Sequence, residues 1–284
     1  MVQASKQTLN VPANVICCPD IEFGKGGQRP LRMNIVRPRI LPESPMPILI
    51  WIHGGGWCNG DKEEGIQHLI PFASNGYFGA SIEYRLSHEA IFPAQLEDCK
   101  CAIRFLRAHA NRFHLDADHI GAWGVSAGGH LAALLGTTHH VRELEGEGGW
   151  ENISSRIQAV CDWFGPTDFL KMNQFPGEID HDAADSPESM LIGGPIQENK
   201  KKAAQANPIT YISEETAPFL IMHGDDDLLV PLNQSQLLFA ALKKVNVEVN
   251  FEIIAGGGHG KHFKSPERLE QIKRFFNTHL CHQI

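Results

Sequence analysis

This sequence has no basic stripe, no long hydrophobic run and no ordered cysteine pattern. Aspartate and glutamate number 33 against 25 lysines and arginines, for a formal net charge of −8. Nucleic acids are gripped by clustered positive charge. The one basic run, Lys200–Lys202, follows an acidic segment and reads as a solvated face, so no nucleic-acid partner is expected. A membrane span is not expected either. Crossing a bilayer takes about 20 apolar residues, and the most apolar short run, ILIWI from Ile48 to Ile52, is strand-sized. The first residues, MVQASKQTLNVPANVICC, lack the charged start and apolar stretch of a secretory leader. The seven cysteines (Cys17, Cys18, Cys58, Cys99, Cys101, Cys161 and Cys281) are odd in number and irregular in spacing. They suggest neither a disulfide framework nor a zinc pattern. Buried, reduced thiols in a cytoplasmic protein are the expectation.

What is present is an ordinary globular composition, 42% hydrophobic and 20% charged over 284 residues, long enough for a sizeable core. Short apolar runs alternate with amphipathic stretches. Strands are predicted at LRMNIV (Leu31–Val36), ILIWIH (Ile48–His53), YFGASIEY (Tyr77–Tyr84), HIGAWGV (His119–Val125), IQAVCDWFG (Ile157–Gly165), PFLIMHG (Pro218–Gly224) and EVNFEII (Glu248–Ile254). Helices are predicted at Pro93–Phe113, Ala127–Gly136, Leu232–Val245 and Pro266–Leu280. The alternation implies one α/β domain over 1–284, with a mostly parallel, doubly wound sheet. Residues 166–207 break the rhythm with polar residues and breakers. They read as a small insertion over the carboxyl ends of the strands, where open α/β sheets bind ligands. Within it, DHDAAD (Asp180–Asp185) reads as solvated rather than as a cation site.

Four motifs follow predicted strands. GVSAGG (Gly124–Gly129) places Ser126 between a strand and a helix. Glycines there permit a sharp reversal that presents the serine hydroxyl, with the Ala127 N–H at a helix N-terminus. HGGGW (His53–Trp57) lets backbone amides approach a ligand closely, as an oxyanion requires. HGDDDLLVP (His223–Pro231) offers Asp227, with Asp225 as runner-up, to orient a histidine. GGGHG (Gly256–Gly260) sets His259 on a loop able to reach across the sheet edge. A metal site built on His259 and His262 is not expected, because carboxylate or cysteine partners are missing at the usual spacing.

On these residues, together with YRLSHEAIFPAQLEDCKCAIRFLRA, ESMLIGGPI and ANPITYIS, the chain resembles α/β-hydrolase esterases. The resemblance is to the branch of feruloyl esterase-like and acetyl-ester-cleaving enzymes. The YRL…FPAQLEDC stretch is also similar to the hormone-sensitive-lipase branch, but that branch usually has aspartate before its serine, where Val125 stands here. The resemblance implies an α/β-hydrolase fold with Ser126 as nucleophile, His259 as general base and acid, and Asp227 orienting His259. It implies an oxyanion hole of Gly55, Gly56 and the Ala127 amide, with Gly54 as an alternative to Gly56. Tyr84 and Arg85 buttress the sheet edge, and Trp57 packs behind the hole or borders the acyl pocket. The expected reaction is hydrolysis of a small-molecule ester with a short or medium acyl group, on acetylated or feruloylated carbohydrate among others, with no cofactor and no metal. A kynurenine formamidase-like amide hydrolase and a non-catalytic ligand-binding relative are the alternatives.

Overall fold

Buried parallel strands need apolar residues on both faces, and the runs found in the sequence supply them. In the computed structural model, which describes residues 10–281, the chain builds β1 (Val15–Gly26), β2 (Arg29–Pro38), β3 (Met46–Ile52), α1 (Ile66–Ala73), β4 (Phe78–Ile82) and α2 (Ala94–Ala108). The short α3 (Ala110–Phe113), β5 (Leu115–Val125), α4 (Ala127–Thr137) and β6 (Ala159–Trp163) follow. Then come α5 (Pro187–Ile192), α6 (Lys200–Ala206), β7 (Phe219–Gly224), α7 (Asn233–Lys244), β8 (Val249–Ile254) and α8 (Pro266–Leu280). Eight strands form one sheet in the order β1-β2-β4-β3-β5-β6-β7-β8. The pairings β1/β2 and β2/β4 are antiparallel, and the other five are parallel.

Successive side chains of β3 point to opposite cores. Ile48, Ile50 and Ile52 join one cluster with Leu96 and Ile103 of α2 and Leu131 and Leu135 of α4. Leu49 and Trp51 join the other, with Leu69 and Phe72 of α1 and Phe276 and Leu280 of α8. The sheet is therefore covered on both sides. Its parallel strands end on one edge, from which the glycine, serine, aspartate and histidine motifs all emerge.

Outside the 166–207 segment, β1 and α1 differ from the sequence expectations. In β1, Asp20 takes a positive φ of 58° and the register with β2 shifts twice, which breaks any simple alternation of apolar residues. Helix α1 is only eight residues long and carries Pro71 in its interior. Residues 166–207 hold a 3-10 turn at Phe169–Gln174 and the short helices α5 and α6. Lys200–Lys202 opens α6 and is exposed. The aspartates of the DHDAAD stretch are exposed or half-buried, whereas His181 within it is buried. Every cysteine is a free thiol, with Cys99, Cys101 and Cys161 buried and the other four half-buried. The amino-terminal stretch read for a leader lies half outside the described residues. No helix among the described residues is long and apolar enough to cross a membrane.

Asp162 of β6 sits fully buried beneath the turn that carries Ser126, and its Oδ1 accepts the Gly165 N–H at 2.9 Å. Burial pushes its carboxyl up to about 7, against the pull of that one hydrogen bond. The folded chain thus holds a proton between pH ~4 and ~7 that the unfolded chain has released. Stability contributed by the neutral acid is present below pH ~4 and is lost as pH rises through ~7. Asp162→Asn, which keeps the acceptor and cannot ionise, is expected to exceed wild type in Tm above pH 7 by several degrees. The gap should close toward pH 4. Equal Tm values across that range would show that Asp162 carries no such proton.

Candidate active site

Ser126 occupies the reversal between β5 and α4, with φ 54° and ψ −123°. Such a backbone is costly for a residue with a side chain, and its surroundings hold it there. The Ser126 N–H donates to the Trp163 carbonyl at 2.9 Å, and its own carbonyl accepts the His130 N–H at 3.0 Å. A Cβ on Gly124 would lie 2.0 Å from the Gly128 carbonyl oxygen, and one on Gly128 would lie 2.1 Å from that of Ile52. Only glycine fits at either place. Ala127 then begins α4, where a backbone N–H has no intrahelical acceptor and the helix dipole favours negative charge.

The glycine loop follows β3. Gly55 and Gly56 take φ of 100° and 58°, and Trp57 also has positive φ. The Gly55 carbonyl accepts the N–H groups of Cys58 and Asn59, both at 3.0 Å. Burial lowers the His53 imidazole to about 4, which keeps it neutral, and its Nδ1–H donates to the Gly54 carbonyl at 2.8 Å. Tyr84 stacks on that ring and donates its hydroxyl to the His53 carbonyl at 3.1 Å. Arg85 pairs with buried Asp98 at 2.7 Å. Tyr84 thus supports the loop from behind, whereas Arg85 ties the chain after β4 to α2. Trp57 is buried against Phe169 and His130 and also borders the site's cavity.

Asp227 and His259 come from the loops after β7 and β8. Asp227 Oδ1 accepts the N–H groups of Leu229 and Val230, both at 2.9 Å. Its Oδ2 accepts the His259 Nδ1–H at 2.8 Å. With that proton placed, His259 Nε2 is the acceptor for the Ser126 hydroxyl, 3.0 Å away. Asp225, the runner-up, points elsewhere: its Oδ1 takes the Gly256 N–H at 2.7 Å and ties down the His259 loop. Phe164 flanks the His259 ring at 4.5 Å between centroids.

Sequence reading missed His223, which lies at the end of β7 and is completely buried. Its Nε2 is 2.8 Å from the Val230 carbonyl and 3.3 Å from Asp227 Oδ2, and its Nδ1 is 2.7 Å from Ser235 Oγ. A carbonyl only accepts, so Nε2 carries the hydrogen and Ser235 donates to Nδ1. Burial alone would raise the Asp227 carboxyl. Hydrogen bonds from His223, His259 and the Val230 amide overcome that and hold it well below the usual carboxylate range.

These residues meet in a cavity of about 540 Å³. Gly54, Gly55, Gly56, Ser126, Ala127 and His259 line one part of it, and Ile179, His181, Pro187 and Glu188 of the insertion line another. Residues of the 166–207 segment and of the loops after the parallel strands thus share one cavity. Among the described residues, no group of three or more His, Cys, Asp and Glu side chains is placed to hold a metal ion.

The family model described as BD-FAE matches residues 33–242. The chain belongs to the BD-FAE family. This BD-FAE chain is 29% identical over 230 residues to esterase LipC of Mycobacterium tuberculosis, a match covering 80% of the chain and 56% of LipC. It is 30% identical over 229 residues to the probable carboxylic ester hydrolase LipM of the same organism, covering 80% of the chain and 52% of LipM. The chain spans about half the length of these curated relatives. Among solved structures, a truncated form of carbohydrate esterase from gut microbiota superposes with a TM-score of 0.83 at 29% identity, covering 93% of this chain and 95% of that one. The BD-FAE chain has the α/β-hydrolase fold.

The contact between His223 and Asp227 has a measurable consequence. A carboxyl held low contributes stability above pH ~4 that is lost as pH falls below it. His223→Leu removes one donor from Asp227 and is expected to cost about 1–3 kcal/mol near pH 7. In urea unfolding the deficit should shrink at pH 3. A deficit independent of pH would mean that His223 does not act through the Asp227 charge.

Proposed function

We propose that this chain is a serine carboxylesterase acting on esters with short or medium acyl groups, with acetylated or feruloylated carbohydrate among its substrates. The observation that carries the reading is the continuous hydrogen-bonded line from Asp227 through His259 to Ser126, at 2.8 and 3.0 Å. It converges beside a glycine loop and a helix N-terminus. Ser126 Oγ attacks the ester carbonyl as His259 Nε2 takes its proton. The oxyanion is received by the Ala127 amide and by amides of Gly55 and Gly56. His259 then protonates the departing alcohol, leaving an acyl-enzyme on Ser126. It next activates a water that releases the acid. Asp227, which stays ionised, fixes the ring tautomer and stabilises the imidazolium.

The family and the esterase relatives support ester chemistry. The carbohydrate esterase among the structural neighbours supports a carbohydrate substrate. The cavity supports the acyl preference, since about 540 Å³ must hold both sides of the ester.

The test is a panel of acetyl, butyryl, octanoyl, feruloyl and formamide substrates. Wild type is expected to favour acetyl or butyryl over octanoyl esters and to hydrolyse N-formylkynurenine more slowly than simple esters. Ser126→Ala is expected to lose at least ~10³-fold in kcat with fold intact, and Asp227→Asn a similar amount. Full activity in Ser126→Ala would end the nucleophile assignment. Faster formamide cleavage would move the chain to the amide hydrolases, and preference for long-chain emulsions would end the acyl assignment.

A further inference from the structure

The wall contributed by the insertion contains a polar pair that the proposed chemistry leaves unused. His181 and Glu188 line the same cavity as Ser126 and His259. Both are almost fully buried, at 2% and 3% exposure. His181 Nδ1 lies 3.0 Å from Glu188 Oε2. The distance is that of an ion pair, yet the angles are poor for a hydrogen bond. Both His181 nitrogens and Glu188 Oε2 lack a well-formed hydrogen-bond partner. A buried polar atom left without a partner is costly, and the rest of this cavity's lining is mainly apolar or glycine. Their surroundings do not force them there, because Ile179 and Pro187 hold the neighbouring positions of the same wall.

Position and tautomer say what the pair would meet. Pro187, next to Glu188, approaches the glycine loop: a Cβ on Gly56 would lie 3.4 Å from it. His181 is held by its backbone N–H to Asn173 Oδ1 at 2.8 Å. The preceding segment is tied to the Asp227 loop by the Glu178 N–H on the Leu228 carbonyl at 2.7 Å. An approach of 3.0 Å between an imidazole nitrogen and a carboxylate requires a hydrogen on Nδ1, since two lone pairs would repel. The other ring nitrogen, Nε2, has no partner. A hydroxyl can donate to Nε2 where it is bare or accept from it where it carries hydrogen, and can donate to the carboxylate in either case. Glu64 adds a second carboxylate to the cavity, which opposes anionic ligands. The Trp57 indole N–H, also buried and unpartnered, is a donor in the same lining. A group that both donates and accepts, the hydroxyl, suits this wall.

We propose that His181 and Glu188 are specificity-determining residues that bind a free hydroxyl carried by the ester substrate, so that the site selects hydroxylated esters over their hydrocarbon counterparts. This deepens the esterase reading and rests on it. The substrate class is a neutral polyol or hydroxyacyl ester.

Two matched pairs test it. Monoacetylglycerol and propyl acetate differ only in the hydroxyls of the alcohol, and ethyl β-hydroxybutyrate and ethyl butyrate differ only in one on the acyl side. Wild type is expected to favour the hydroxylated member of at least one pair by about tenfold or more in kcat/KM. Glu188→Gln and His181→Phe should bring that ratio toward one, mainly through a higher KM for the hydroxylated ester. Glu188→Asp, a milder change, should do so in part if either of the others fails to fold. A wild-type ratio near one in both pairs, or a preference that survives in the folded variants, overturns the proposal. Hydrolysis of none of the four esters by wild type is a different result: it overturns the esterase reading and this inference with it.

Discussion

The structure depends on a contact between two stretches of bare backbone. For β5 to reverse into α4 at Ser126, the main chain at Gly124 must touch the main chain at Gly128, and any side chain would prevent it. The same Gly128 rests on the carbonyls of Ile52 and His53 at the end of β3. One close approach therefore fixes both the serine and the start of the glycine loop. Gly54 completes the arrangement, since a Cβ there would press on the Val125 carbonyl and the Ser126 side chain. The Ser126 hydroxyl and a set of amides are held side by side because no side chains separate them. The positive φ at Ser126 is the strain that results, and the Trp163 carbonyl on the adjacent strand helps retain it.

Electrostatics are organised around one carboxylate. Asp227 has both oxygens engaged, one by two backbone amides and the other by two imidazoles. A buried carboxylate with that many donors stays ionised. It can then hold His259 in the tautomer whose free nitrogen faces Ser126. His223 serves this arrangement from the far side. Its Nε2–H is shared between the Val230 carbonyl and Asp227, so it clamps the turn that contains the acid. The ring that faces the cavity and the ring that is sealed in the core thus act on one oxygen atom.

What the sequence revealed follows a physical line. The parallel strands were legible because two buried faces demand unbroken apolar runs, as in ILIWI. Ser126, Asp227 and His259 were legible because each directly follows such a run and sits among glycines or beside a cap. β1 was not legible, since a bulged edge strand with Asp20 at positive φ has no regular period. α1 hid behind Pro71 and its short length. His223 was hidden for another reason. A histidine ending an apolar strand looks like core filling, and its two partners, Ser235 and the Val230 carbonyl, are defined only once β7 and α7 pack together. His181 and Glu188 stand among exposed acids and turn residues, so composition alone suggested solvent where the structure shows burial.

That last reversal bears on how the insertion works. A polar segment laid over a strand edge would be loosely held if it were solvated throughout. Here it is tied down by backbone bonds at separate places. Glu178 reaches the loop bearing Asp227, and Leu191 at the end of α5 accepts the N–H of Phe92, just ahead of α2. Ser186 caps α5 through the Ser189 N–H, with Pro187 at its first position, which fixes the direction in which Glu188 leaves the helix. These bonds hold the backbone that carries His181 and Glu188, and both side chains are buried in the wall of the cavity. The selectivity proposed for this wall then shares its origin with the Ser126 geometry, a backbone fixed by local contacts.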